Sequence, residues 1–306
     1  MTRKPKQRKV VNKLNIVVLI RNTVDCRVPL LPDMYGEQPL PEAMASIINP
    51  ADWFALEQGL DLRGQQDVHR VMAMSLGGKD AEEALRWCLA AGAQRVLRIW
   101  DKALEEADLL GRGKALAAAL ARSKPELVLC GDGCLDQINS ALPGVVAAAA
   151  GMAYVPGVTK LEKVEAGKAI VIRRLEKGKR ERVIIRLPAL VAIEDGGSAP
   201  AYYADLPGAV TAFTVAVPCK GLACLGLSAE RVGSRGAKVH NTLLRVARPV
   251  VTRPVTPDPG LPAEQRLRKI LSGGIVRKQG EVITGSAEQL ADKIVEFLRK
   301  EPVVRL

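Results

Sequence analysis

The near-continuous apolar run Asn15–Ile20 predicts a strand buried on both faces. From there the pattern alternates in period. Asn49–Leu62 reads as a helix, His69–Ser75 as a second strand closed by Leu76-Gly77-Gly78, and Asp80–Ala91 as an amphipathic helix stopped by Gly92. Arg95–Trp100 gives a third strand, Gly113–Ser123 an Ala/Leu helix, Glu126–Gly131 a fourth strand and Ser140–Ala150 a further helix. This alternation predicts an α/β fold: a parallel sheet with helices on both faces. After Gly151 the pattern changes. Thr159–Val164, Ala169–Leu175 and Glu181–Leu187 are separated by Glu165-Ala166-Gly167-Lys168 and Lys177-Gly178-Lys179, which predicts antiparallel hairpins. Pro188–Glu194 reads as one more apolar strand. Residues 195–262 are rich in Gly and Pro and read as a surface wrap, with Pro254–Pro262 as a linker. Ser286–Lys300 predicts a closing helix capped by Ser286, with Leu290, Ile294, Phe297 and Leu298 on one face.

Charge divides the chain further. Of the net charge of +12, residues 1–13 carry six Lys or Arg and no acid, and residues 207–306 carry sixteen basic and eight acidic groups. The body between them is close to neutral. The excess is thus read as a solvated arm and a basic C-terminal region, not a nucleic-acid face, and interleaved aromatics are missing. The expected organisation is a disordered basic tail over 1–14, a nucleotide-binding α/β domain over 15–207 and a C-terminal extension over 208–306. The longest apolar runs, such as Val145–Ala153, are too short and Ala-rich to span a bilayer, and no signal peptide is evident at the basic start. The six cysteines (26, 88, 130, 134, 219, 224) show neither a secreted framework nor tight metal spacing, and suit reduced thiols in a cytoplasm.

Candidate chemistry gathers where strands end. Asn49 suits a helix N-cap, Pro50 the first helical position, and Asp52 the third position, where a carboxylate favours the helix dipole. Such a start also suits an anion. In an open parallel sheet, ligands bind beyond the carboxyl ends of the strands. Leu19–Asp25, Asn49–Asp52, Ser75–Gly78 and Gly131–Gly144 would converge there and hold an adenine nucleotide. No G-x-x-x-x-G-K-[ST] or G-x-G-x-x-G motif is present. No constellation points to catalysis: Asp132 and Asp136 would pair as carboxylates, cap helices or meet a ribose, and nothing in the sequence lowers the pKa of Cys134.

The chain resembles the β subunit of electron transfer flavoproteins. Asn15–Arg21 is similar to the first strand, Val24-Asp25 to the turn after it, and Ile47-Ile48-Asn49-Pro50-x-Asp52-x-x-Ala55-Leu56-Glu57 to the Asn-Pro helix start. Ser75-Leu76-Gly77, Ala90–Arg95 and Tyr203-Ala204-Asp205-Leu206-Pro207 resemble later junctions in the right order. The resemblance implies an adenine-nucleotide α-hydrolase-like sheet. It also implies a heterodimer with an α subunit that carries the redox FAD, and AMP or a second FAD in this subunit. The implied cofactor-binding residues are Leu19, Asn49, Pro50, Ala51, Asp52, Leu76, Gly77, Cys134, Asp136, Asn139, Ser140 and Ala141, with the phosphate near Asn139 and Ser140. Against the family pattern, the loop Asp136–Gly144 keeps one Asp, and Asp195–Pro200 lacks the Leu of the partner-docking loop. The implied role is an electron-carrier subunit, not an enzyme, between a dehydrogenase donor and a membrane or iron–sulfur acceptor. One alternative is an electron-bifurcating subunit whose FAD takes hydride from NADH. Another, of a different class, is a non-redox nucleotide-sensing module.

Overall fold

Asn15–Ile20 lies mostly in a first strand, β1 (Leu14–Leu19), and the alternation of its neighbours explains its apolar character. The computed structural model describes residues 14–25, 27, 45–65, 68–135, 141–165, 167–196, 204–239, 257–271 and 283–300. In chain order these form β2 (Asn22–Val24), β3 (Ser46–Ile48), α1 (Pro50–Gln65), β4 (Val68–Leu76), α2 (Ala81–Ala90), β5 (Arg95–Ile99), α3 (Leu109–Ser123), β6 (Leu127–Gly131) and α4 (Leu142–Ala150). There follow β7 (Ala153–Glu165), β8 (Lys168–Arg174), β9 (Arg180–Arg186), β10 (Ala189–Ile193), α5 (Leu206–Thr214), β11 (Cys219–Lys220), α6 (Leu222–Leu225) and α7 (Ala229–Val232). The chain divides into two units, Met1–Val246 and Ala247–Leu306.

In the first unit, the strands order as β11-β5-β4-β1-β6-β10-β7-β8-β9 in one sheet among the described residues. It is parallel from β11 through β7 and antiparallel across β7, β8 and β9. Ile16 and Val18 of β1 face a layer that includes Leu56 and Leu60 of α1 and Leu85 of α2. Val17 and Leu19 face the opposite layer, with Leu116 and Leu120 of α3 and Val146 of α4. Both faces are thus covered, so both alternations must be apolar. Each fully buried Leu, Ile or Val contributes roughly 1.5–3 kcal/mol.

Three elements depart from the sequence reading. β2 and β3 pair antiparallel as a short ribbon beside the main sheet. α3 begins at Leu109, before the expected Gly113, because the Asp108 carboxylate accepts from Gly111 N at 2.8 Å and caps the helix. Two glycines lie inside that first turn and a half, and both are required by contact: a Cβ on Gly111 would meet the Val232 carbonyl, and one on Gly113 would fall 2.5 Å from Val145 Cγ1. Finally, part of the expected surface wrap is ordered structure, since α5 packs against α2 and β11 extends the sheet beyond β5.

In the second unit, α8 (Ala263–Leu271) and α9 (Ala287–Lys300) are both amphipathic. Ser286 caps α9 reciprocally: Gln289 N donates to Ser286 Oγ at 3.4 Å, and Ser286 N donates to Gln289 Oε1 at 3.2 Å.

Candidate functional site

From β1 the sheet grows outward in both directions, through β4 and β5 on one side and β6 and β10 on the other. This is a topological switch point, and the carboxyl ends of the strands beside it leave a crevice. A cavity of about 260 Å³ opens there. Leu19 and Arg21 border it from the end of β1 and the residues after it, Leu76 and Gly77 from the end of β4 and the turn after it, and Gly131 and Cys134 from β6 and the turn after it.

One wall is the start of α1. Asn49 leaves the β2–β3 ribbon, and its N–H donates to the Arg21 carbonyl at 2.9 Å. Its side-chain amide donates to the Gly133 carbonyl at 2.8 Å, tying the helix start to the turn after β6. The Asp52 carboxylate is buried and accepts two backbone N–H groups, from Gly131 at 2.6 Å and from Arg21 at 2.9 Å. It therefore stitches together the ends of β1 and β6. Burial pushes its carboxyl up to about 6, while the N–H bonds from Gly131 and Arg21 and the Asn49 amide pull the other way. Gly131 is a glycine because of this contact. A Cβ there would fall 2.7 Å from both Ala51 Cβ and Asp52 Oδ1. The negative charge that suits a helix start is supplied here by Asp52 itself.

The opposite wall is the start of α4 with the first turns of α3. Ala141 stands at the α4 N-cap, exposed, with no side-chain hydrogen bond to the helix, and Pro143 sits in the first turn. Leu142 and Pro143 border the cavity, together with Arg112 and Leu116 of α3 and Trp100 and Leu104 of the loop after β5. The floor, including Leu19, Met74 and Leu76, is apolar.

Of the residues singled out from the sequence, Leu19, Asn49, Asp52, Leu76, Gly77 and Cys134 all border this cavity. Pro50 and Ala51 lie in the first turn of α1 behind it, Ala51 packed beneath Gly131. Ala141 lies at the mouth of α4 but not in the lining. Asp136, Asn139 and Ser140 lie outside the described residues. Asp132 does structural work: it accepts from Gly157 N at 3.1 Å, joining β6 to β7. Burial raises its pKa, and nearby Glu194 adds to the shift. Burial also pushes the Cys88 and Cys130 thiols up, which leaves them protonated and unreactive. Arg112 and Trp100 are among the cavity-lining residues that sequence reasoning missed, as are Leu104 and Leu116. The signal for the first was an arginine bracketed by glycines, Gly111-Arg112-Gly113, on an otherwise Ala/Leu helix. Among the described residues, no three His, Cys, Asp or Glu side chains gather as a metal site requires, and no helix is long and apolar enough to cross a membrane.

Residues 41–218 match the model of the electron transfer flavoprotein domain. Over 189 residues the chain is 33% identical to the electron transfer flavoprotein subunit beta of Methylophilus methylotrophus, covering 61% of this chain and 71% of the relative. Over 195 residues it is 32% identical to the caffeyl-CoA reductase-Etf complex subunit CarD of Acetobacterium woodii, covering 63% and 72%. Protein FixA of Azorhizobium caulinodans is 30% identical over 189 residues, covering 59% and 66%.

Proposed function

The chain belongs to the electron transfer flavoprotein family, among its β subunits, and on that premise we propose that it holds AMP in the switch-point cavity and pairs with an FAD-bearing α subunit. One observation carries this reading: residues from four separate sequence segments meet around one cavity at the carboxyl edge of the parallel sheet. The lining fits a mononucleotide. Its apolar floor suits a purine ring, and Arg21 and Arg112 bring positive charge to the lining. The FAD of the α subunit supplies the electron chemistry when bound. This chain's residues place and hold: Asp52 and Asn49 lock the ends of β1 and β6 into one rigid edge, and the apolar layer beneath keeps water out.

The complex carries electrons from a dehydrogenase toward a membrane or iron–sulfur acceptor, in the cytoplasm, with no catalytic residue of its own. A second reading places an FAD in this cavity, taking hydride from NADH. The likeness to a subunit named for a reductase–Etf complex supports it. Cofactor counting on the purified heterodimer decides. One FAD and one AMP per complex is the expected result; two FAD and no AMP would replace it with the second reading. Family membership leaves the non-redox sensing module without support.

A further inference from the structure

Trp53 and Trp87 are two of only three tryptophans in a chain that is 3% aromatic, and both border one groove. The groove, about 440 Å³ in volume, lies between the β2–β3 ribbon and the helices α1 and α2. Asn22 borders both it and the switch-point cavity, and the two linings share no other residue. We propose that this groove binds a small organic cation, an ammonium group bearing alkyl substituents, between the two indoles and the carboxylates of Asp80 and Glu83. The proposal does not rest on the nucleotide reading.

The charge of the lining sets the ligand's sign. Asp80 and Glu83 border the groove, and no Lys, Arg or His does so among the described residues. Neither carboxylate forms an ion pair among the described residues, whereas Glu82 between them meets Arg98 at 3.0 Å and Arg86 at 3.5 Å. Both arginines thus go to Glu82, and the groove keeps its negative charge. The Asn22 amide donates to Asp80 Oδ2 at 3.4 Å and holds that carboxylate beside the ribbon. The rings are held as well. Trp53 Nε1 donates to Glu57 Oε1 at 3.1 Å, one turn further along α1. Phe213 of α5 packs edge-to-face on Trp87, with centroids 5.2 Å apart, yet Trp87 stays 39% exposed. A favourable helix dipole accounts for carboxylates at the start of α2. It does not account for two indoles on the same groove. An indole face attracts a cation through its quadrupole, and more strongly where water is displaced. An alkylammonium group uses every part of the lining: its alkyl shell meets the rings and Ile48, and its charge meets the carboxylates. A bare metal ion would leave the rings unused.

The test titrates choline, and its uncharged analogue with a tert-butyl group in place of the trimethylammonium, into the purified complex containing the full-length chain. Dissociation constants are measured by calorimetry for wild type, Glu83→Gln and Trp87→Leu. Choline should bind about 10-fold more tightly than the analogue, Trp87→Leu should weaken choline about 10-fold, and Glu83→Gln should weaken it about 5-fold while leaving the analogue unchanged. Trp87→Leu also removes the contact with Phe213, so Glu83→Gln, a change of charge on an exposed residue, decides if α5 loosens. Equal affinity for choline and the analogue would make the groove merely apolar and overturn the proposal. Choline binding untouched by either substitution would overturn it too, as would no heat of binding at millimolar choline. A peptide carrying one arginine that binds more tightly than choline would overturn the small-molecule assignment and make the groove a protein-docking site. The nucleotide content of the complex enters none of these outcomes.

Discussion

Two helices begin at the same edge of the same sheet, and they begin differently. The start of α1 is closed: Asn49 and Asp52 spend their polar atoms on Gly133, Gly131 and Arg21. At the start of α4 the N-cap residue is Ala141, exposed and with no side chain able to cap. A helix start has unsatisfied N–H groups, and the flanking side chains decide whether the fold or a ligand meets them. Here α1 serves as a strut, its start tied by Asn49 and Asp52 into the ends of β1 and β6. The Asn-Pro motif, the most legible feature of the sequence, thus marks the wall that keeps the cavity's shape.

The strongest way to break this comparison is Gly131→Ala. Its Cβ would fall 2.7 Å from Ala51 Cβ and Asp52 Oδ1, prying α1 from β6. The unfolding free energy, read by urea denaturation, should fall by about 3 kcal/mol, and the bound nucleotide should be lost. Next in size is Asp52→Ala, which strands the N–H groups of Gly131 and Arg21 and should cost about 2–3 kcal/mol by the same measurement. An unchanged midpoint would show that the strut does not depend on this carboxylate.

A third prediction concerns pH. The Asp52 carboxyl sits at about 6 in the fold against 3.8 when free, so between those values the folded chain holds the extra proton. Stability from this group therefore rises as pH falls through 6 toward 4, and is lost again above 6, by an amount on the order of 3 kcal/mol. Asp52→Asn carries no charge at any of these pH values. The difference in stability between wild type and Asp52→Asn should accordingly shift in favour of wild type on acidification, and a flat difference would refute the assignment. The smallest effect is expected at the other helix. Ala141→Asp puts a capping carboxylate at the N-cap of α4 on an exposed residue, so stability should rise by no more than about 1 kcal/mol. AMP affinity should drop several-fold. Undiminished affinity would place the phosphate elsewhere.

The strands of the parallel sheet were legible because burial on both faces makes them continuous apolar runs, as in Ile16–Ile20 and Leu127–Cys130. The hairpins were legible from their Gly-Lys turns. The ribbon of Asn22–Val24 with Ser46–Ile48 was not, since three residues carry no period and the partners are far apart in sequence. Nor was the start of α3, where Gly111 and Gly113 look like breakers until the close approach of Val232 and Val145 is known. The site divided along the same line. Asn49, Asp52 and Gly77 lie in local turn and cap patterns that a sequence displays. Arg112 and Trp100 reach the cavity only through the packing of α3 and the loop after β5 against other elements, which no local pattern encodes.

The position of β10 has a consequence in time. It pairs with β6 on one side and β7 on the other, and Gly131 at the cavity's edge is registered against Ile193. Yet β10 is made after β7, β8 and β9. A growing chain therefore carries β1, β4, β5 and β6 for a long interval before the strand that flanks β6 exists. Such non-local pairing slows folding. The edge of the cavity at Gly131 is consequently a late product of synthesis, finished only once Ile193 has left the ribosome.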